Sequence, residues 1–150
     1  MGLLTACAGC AGPAPAPPTL IRLTLTTTAD ANAGTSGVGA PVEVRVYQLA
    51  ATNAFGNADF FQLFNHDTAT LGADLVRSEH FLLAPGTSKT VVLTPDPRVT
   101  ALGFFAAYGA FGSATWRAQT PVPPHQATLV TLTVGRAALA VKAAPAPAGS

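Results

Sequence analysis

The chain has 150 residues, eight Lys and Arg against seven Asp and Glu, a formal net charge of +1 and only 10% charged residues. That length suits one domain that buries its core without metal or disulfide staples, and so sparse a charge argues against electrostatic capture of nucleic acid or anionic membrane. No apolar run approaches the ~20 residues that cross a bilayer as a helix.

Both cysteines fall within the first ten residues, in the stretch LLTACAGC. Leu4-Thr5-Ala6-Cys7 has the order of a bacterial lipobox: a branched apolar residue, two small ones, then Cys. A signal peptidase needs small side chains beside the scissile bond. The Cys thiol then takes a diacylglycerol, and the new amino terminus can take a third acyl chain. Six residues precede Cys7 and none is basic, so residues 1–7 read as the remnant of a lipoprotein signal. The competing readings are two idle thiols in a frayed terminus and a redox Cys-x-x-Cys, which needs a βαβ context that does not follow. Residues 8–19 then form a proline-rich tether. AGPAPAPP, 11–18, holds four prolines and favours extended polyproline II, a semi-rigid spacer of roughly 25 Å.

From residue 20 the period is two. Ile21, Leu23 and Leu25 alternate with Arg22, Thr24 and Thr26, which predicts a half-buried strand. A long connector, ADANAGTSGVGAP (29–41), follows. It has three glycines and no base, and it exceeds the usual hairpin length of about 2–5 residues, which marks it as functional or disordered. Val42, Val44 and Val46 give a second strand. In 57–75 the period breaks: Asn57 reads as the cap of a helix starting at Ala58, with Asp59 near its positive end and Phe60, Leu63 and Phe64 on one face. That helix is expected to plug one end of the fold or cover a sheet.

Further strands are predicted at 75–83, around Val91 and Leu93, at 101–108, at 114–120, around Val130, Leu132 and Val134, and at 138–143. ALGFFAAY (101–108) is apolar on both faces, which predicts a central strand with something packed on each side. Pro- and Gly-rich turns fall between the strands. The expected fold is therefore all-β: a two-sheet sandwich of about eight strands with a short helical insertion, spanning 20–142. The remainder, 143–150, reads as a disordered tail.

No catalytic constellation emerges. His66, His80 and His125 lie in different segments without metal-ligand spacing, and no nucleophile motif or phosphate-cradling loop is present. Asp67 and Asp74 could pair across a turn. Trp116 reads as core or as a helix contact. The sequence thus gives no catalytic residue, no metal site and no cofactor. One alternative is a periplasmic small-ligand-binding domain with a pocket lined by Phe60, Phe64, Phe81 or Trp116. Another is an enzyme built on His66 with Asp67.

The ordered set PVEVRVYQL (41–49), NADFFQLF (57–64), LGADLV (71–76), PGTSKTVVLTPDP (85–97), ALGFFAAY (101–108) and TWRAQTPVPP (115–124) resembles the TssJ (SciN-type) lipoproteins of bacterial type VI secretion systems. The resemblance covers about residues 20–142. It implies a transthyretin-like sandwich with an added helical element, on an outer-membrane lipoprotein that faces the periplasm. It also implies binding to the C-terminal periplasmic domain of TssM, in a membrane complex that includes TssL. By position, the lipidated cysteine is Cys7. The partner-binding loop is Asp30, Ala31, Asn32, Ala33, Gly34, Thr35, Ser36, Gly37, Val38 and Gly39. Ala8, not Asp, follows Cys7, which is compatible with outer-membrane sorting and not with inner-membrane retention.

Overall fold

The computed structural model describes residues 14–147 together with Gly2, Gly9 and Gly12. Cys7 and Cys10, and with them the expected lipidation site, lie outside the described residues. Eight strands form: β1 (Leu20–Thr27), β2 (Val42–Leu49), β3 (Leu75–Leu83), β4 (Ser88–Leu93), β5 (Ala101–Ala106), β6 (Arg117–Pro121), β7 (Ala127–Val134) and β8 (Leu139–Pro145). Two helices, α1 (Asn53–Asn57) and α2 (Phe60–Leu71), lie between β2 and β3. The strands build two four-stranded sheets, ordered β4-β1-β7-β8 and β3-β2-β5-β6. β1 and β7 run parallel, and the other neighbours are antiparallel. The two-sheet, eight-stranded sandwich expected from the sequence is the observed fold.

The period of two places the core. Ile21, Leu23 and Leu25 of β1 and Val130, Leu132 and Val134 of β7 point inward. They meet Val42, Val44 and Val46 of β2 and Leu102, Phe104 and Ala106 of β5 across the gap between the sheets. Burial of this apolar surface drives the two sheets together.

β5 is buried along its whole length, because its other face is covered as well. There Phe105 joins Tyr47 and Leu49 of β2 beneath Phe55 of α1 and Phe60, Leu63 and Leu71 of α2. Gly103 lies in this layer because a Cβ there would meet Leu49 and the Phe55 ring at 3.0–3.1 Å. The helices therefore cover a sheet face, one of the two expected placements.

Several local boundaries differ from the sequence reading; β5, expected over 101–108, ends at Ala106. The main helix starts at Phe60, not Ala58, because Asp59 is its cap. Asp59 Oδ1 accepts from the Gln62 N–H at 2.8 Å, and the Gln62 side chain accepts from the Asp59 N–H at 2.9 Å. This reciprocal capping box satisfies two backbone donors. Asn57 instead ends the short α1. β6 begins at Arg117, and Thr115 forms only an isolated bridge to Ala138.

At the carboxyl end, β8 continues through Ala143 and Ala144 to Pro145, where a disordered tail was expected. Thr128 opposes Pro145, and the Ala146 N–H donates to the Ala127 carbonyl at 2.9 Å. β8 is the last strand in its sheet order, so a proline at its end costs the ladder little.

Candidate partner-docking site

Chain direction sorts the loops into two ends. β1 enters at Leu20, next to the proline tether, and its eight residues run roughly 26 Å to Thr27. At the entry end His125 holds the proline-rich segment that precedes β1. Its N–H donates to Thr19 Oγ1 at 2.9 Å, and its Nδ1 lies 3.0 Å from the Pro17 carbonyl. The connector 28–41 sits at the opposite end. It joins β1 of one sheet to β2 of the other, so its length reflects a crossing between sheets and not a loose hairpin.

The connector has a tied base and an open tip. Ala31 and Ala33 are buried, and the Ala40 N–H donates to the Ala31 carbonyl at 2.9 Å. Asn32 takes a left-handed conformation, φ 54°, which asparagine tolerates better than most residues. Its Nδ2 donates to the Pro41 carbonyl at 3.0 Å, and its Oδ1 accepts from the Gly109 N–H at 2.9 Å. Gly39 passes so close to the Ala29 carbonyl and the Pro85 ring that a Cβ would collide with both.

The tip is held more lightly. Ser36 Oγ donates to the Ala33 carbonyl at 2.8 Å and accepts from the Val38 N–H at 3.2 Å. Arg136 reaches over from the β7–β8 turn to the Gly34 carbonyl at 2.7 Å. Thr35, Ser36, Gly37 and Val38 are exposed, Val38 at 71%. Of the ten expected contact residues, the structure brings Gly34 and Thr35 to Val38 to the tip. Asp30 to Ala33 and Gly39 form the footing. Asp30 accepts from Thr28 Oγ1 at 2.7 Å.

Of the four aromatics of the ligand-binding reading, three come together and Phe81 does not. Phe60 and Trp116 pack at 5.5 Å, with Phe64 against Phe60 at 5.7 Å, all within the helix–sheet layer. Phe81 packs against the inter-sheet core instead, under the Lys89 ammonium. A cavity of about 490 Å³ lies elsewhere, along β3, β4 and the 94–98 turn, where Arg77, Glu79, Asp96 and Arg98 line it. Asp74 accepts from the Ala54 N–H at 3.4 Å and is not paired with Asp67. All three histidines are exposed, and no group of three His, Cys, Asp or Glu side chains among the described residues is placed to hold a metal.

Asp67 is committed to a clamp that sequence spacing did not reveal. One row of strand partners on the covered face reads His80, Arg45, Phe105, Arg117. Arg45 donates to Glu43 at 2.7 Å, to Asp67 at 3.2 Å, and to the Leu63 and Phe64 carbonyls at 2.8 and 3.1 Å. Its guanidinium also lies over the Phe64 and Phe105 rings. Those carbonyls are available because α2 breaks at His66, φ −143° and ψ 42°. The Thr68 N–H, which an unbroken helix would give to Phe64, bonds Asp67 Oδ1 at 2.8 Å.

Burial works against the Arg45 charge. Hydrogen bonds with Glu43 and Tyr47 more than offset it and raise its pKa. Burial also pushes the Tyr47 phenol well above the ordinary tyrosine value, and its hydroxyl donates to Asp67 at 3.0 Å. The exposed His80 ring completes the cluster, with Nδ1 3.5 Å from Glu43 and Nε2 3.8 Å from Asp67. Arg117 does the same for α1, donating to the Phe55 and Ala58 carbonyls at 3.0 and 2.6 Å. The cluster therefore fixes the helices to the sheet.

Known proteins place this architecture. The family model for type VI secretion lipoproteins, T6SS-SciN, whose description names VasD, EvfM and TssJ, matches residues 19–137. The crystal structure of the T6SS lipoprotein TssJ1 from Pseudomonas aeruginosa is 38% identical with a TM-score of 0.83, over 87% of this chain and all of that one. Lip from Serratia marcescens, a membrane-bound component of the type VI secretion system, is 26% identical with a TM-score of 0.77, over 83% and 98%. A chain of a type VI membrane complex is 25% identical with a TM-score of 0.71, over 83% and 98%. Among curated proteins none matches the chain. No helix among the described residues is long and apolar enough to cross a membrane. The chain belongs to the type VI secretion lipoprotein family of TssJ and SciN proteins.

Proposed function

We propose that this chain is a non-catalytic adaptor. It ties the type VI secretion membrane complex to the outer membrane by holding the periplasmic domain of TssM through the Asp30–Gly39 loop. Acyl chains on Cys7 supply the membrane hold. At ~0.8 kcal/mol per buried methylene, two or three chains anchor stably where one would not. The tether then carries the domain into the periplasm. The observation that supports this reading best is the polarity of β1. The tether meets the domain at one end of the strand, and the exposed loop tip stands at the other. A chain 25% identical in a type VI membrane complex agrees with it.

The test is binding of a TssM periplasmic fragment to the wild-type domain and to Val38→Asp. Deleting 30–39 outright would remove buried Ala31 and Ala33 and the links of Asn32, so a single change at the exposed tip is the cleaner probe. Binding is expected for the wild type and is expected to fall at least tenfold for Val38→Asp at an unchanged melting temperature. Equal binding by both would reject the loop. Cys7→Ser, in a chain led by a complete lipoprotein signal, is expected to move the protein from the membrane to the soluble fraction.

A further inference from the structure

Two of the exposed large apolar side chains among the described residues are neighbours on α2: Phe61, 52% exposed, and Phe64, 40% exposed. Phe61 meets Phe111 edge-on at 5.0 Å. Phe111 stacks on Phe60 at 4.4 Å, and Phe60 is buried in the helix–sheet layer. The exposed ring therefore stands on a fixed aromatic base. Phe111 also opens the short turn 111–113 that follows Gly109, and the Gly109 N–H is held by Asn32. Asn32, in the footing of the loop that carries Val38, thus bonds the segment that leads into the aromatic step.

We infer that the footprint of the periplasmic partner continues from the 30–39 loop across the 109–113 turn onto Phe61. Phe61 is the aromatic anchor of that footprint, and Asn32 is the positioning residue that keeps its two halves in register. This rests on the reading that the loop holds the TssM periplasmic domain. The chemistry of the surface specifies the complementary face. The 109–113 turn carries no charge, Asp30 is the only charge between 30 and 39, and the Arg136 guanidinium is committed to the Gly34 carbonyl. Such a surface fits a near-neutral apolar patch that offers backbone hydrogen-bonding groups, not an acidic or basic one.

A bilayer does not fit the same geometry, because the tether leaves from the opposite end. Aromatic side chains, Phe among them, are enriched in protein interfaces. Phe61 leaves half its surface outside the core, which is what an anchor for another protein requires.

The experiment measures affinity for the TssM periplasmic fragment with wild type, Val38→Asp, Phe61→Ser and Asn32→Gly. It adds melting temperatures, sedimentation, and amide exchange at Gly34 to Val38. Phe61→Ser is expected to weaken binding by roughly 30-fold, the scale of an interface hot spot, without shifting the melting temperature. Wild-type affinity is expected to change less than about threefold between low and moderate salt, since few charges are matched. Asn32→Gly keeps the left-handed backbone and removes only the side-chain links. It is expected to weaken binding about tenfold and to speed exchange at the tip at an unchanged melting temperature, whereas a merely structural role would lower the melting temperature and leave the affinity of the folded protein unchanged.

Absence of wild-type binding would overturn the loop reading together with this inference. Binding that Val38→Asp weakens and Phe61→Ser leaves unchanged would overturn the inference alone. So would a wild-type dimer that Phe61→Ser dissolves at unchanged partner affinity, which would assign the ring to a second copy of this chain. Affinity that falls steeply with salt would overturn the near-neutral patch.

Discussion

The two sheets share one core and differ on their outer faces. On β3-β2-β5-β6 the outer face is covered by α1 and α2, and Arg45 and Arg117 anchor the helix carbonyls to the strands. On β4-β1-β7-β8 the outer face presents Thr24, Thr26, Ser88, Thr90, Thr131 and Thr133 to water, with Thr24 and Thr90 hydroxyls paired at 3.1 Å. Sequence decides which face is covered. β5 puts apolar side chains on both sides, and β1 on one only. A strand buried on both faces needs a second layer, and a chain that supplies one must also satisfy the helix ends it buries. The arginines do that.

This contrast can be broken from its covered side first. Phe105→Ala removes the ring beneath α2 and the face that Arg45 lies over, and is expected to cost about 4 kcal/mol in denaturant unfolding. Arg45→Met leaves Asp67 and two helix carbonyls without their cation. It is expected to cost about 3 kcal/mol and to loosen α2 in amide exchange before the strands. A loss under about 1 kcal/mol would show that the clamp only decorates the helix–sheet packing.

Alkaline titration sharpens the same point. Burial raises both tyrosine pKa values, Tyr47 in the covered layer and Tyr108 beside Gly135. A group whose pKa is higher in the folded state stabilises fully below its unfolded value. Stability is therefore expected to fall as pH rises above the ordinary tyrosine value, by up to about 1.4 kcal/mol per pH unit for each ring. Tyrosinate absorbance is expected to appear only with unfolding. A titration at the ordinary value in the folded protein would contradict the burial.

Smaller effects complete the series. Asp59→Ala removes the cap of α2 and is expected to cost about 1 kcal/mol. Thr24→Ala on the bare face is expected to stay within about 0.5 kcal/mol. A larger loss there would show that the face is less free than it looks.

Much of this was legible in the chain. Alternation located the strands, and the two-sided apolarity of 101–108 called for something packed on each side before any helix was placed. What could not be read depends on partners far away in sequence. Asn32 finds its acceptor role 77 residues on, at Gly109, and Arg45 finds helix carbonyls 18 and 19 residues on. Local signals also competed: Asn57 and Asp59 are both good caps, and Gln62 three residues after Asp59 decided between them. The strand end at Pro145 was hidden because an Ala-Pro run has the composition of a spacer, and only a neighbouring ladder recruits it.

The position of β1 has a mechanical consequence. It lies between β4 and β7, with the tether at one end and the exposed connector at the other. Tension applied between those points runs along the strand, so the hydrogen bonds to both neighbours are loaded in shear together. They do not unzip one at a time. A domain held at those two points resists force best along that direction.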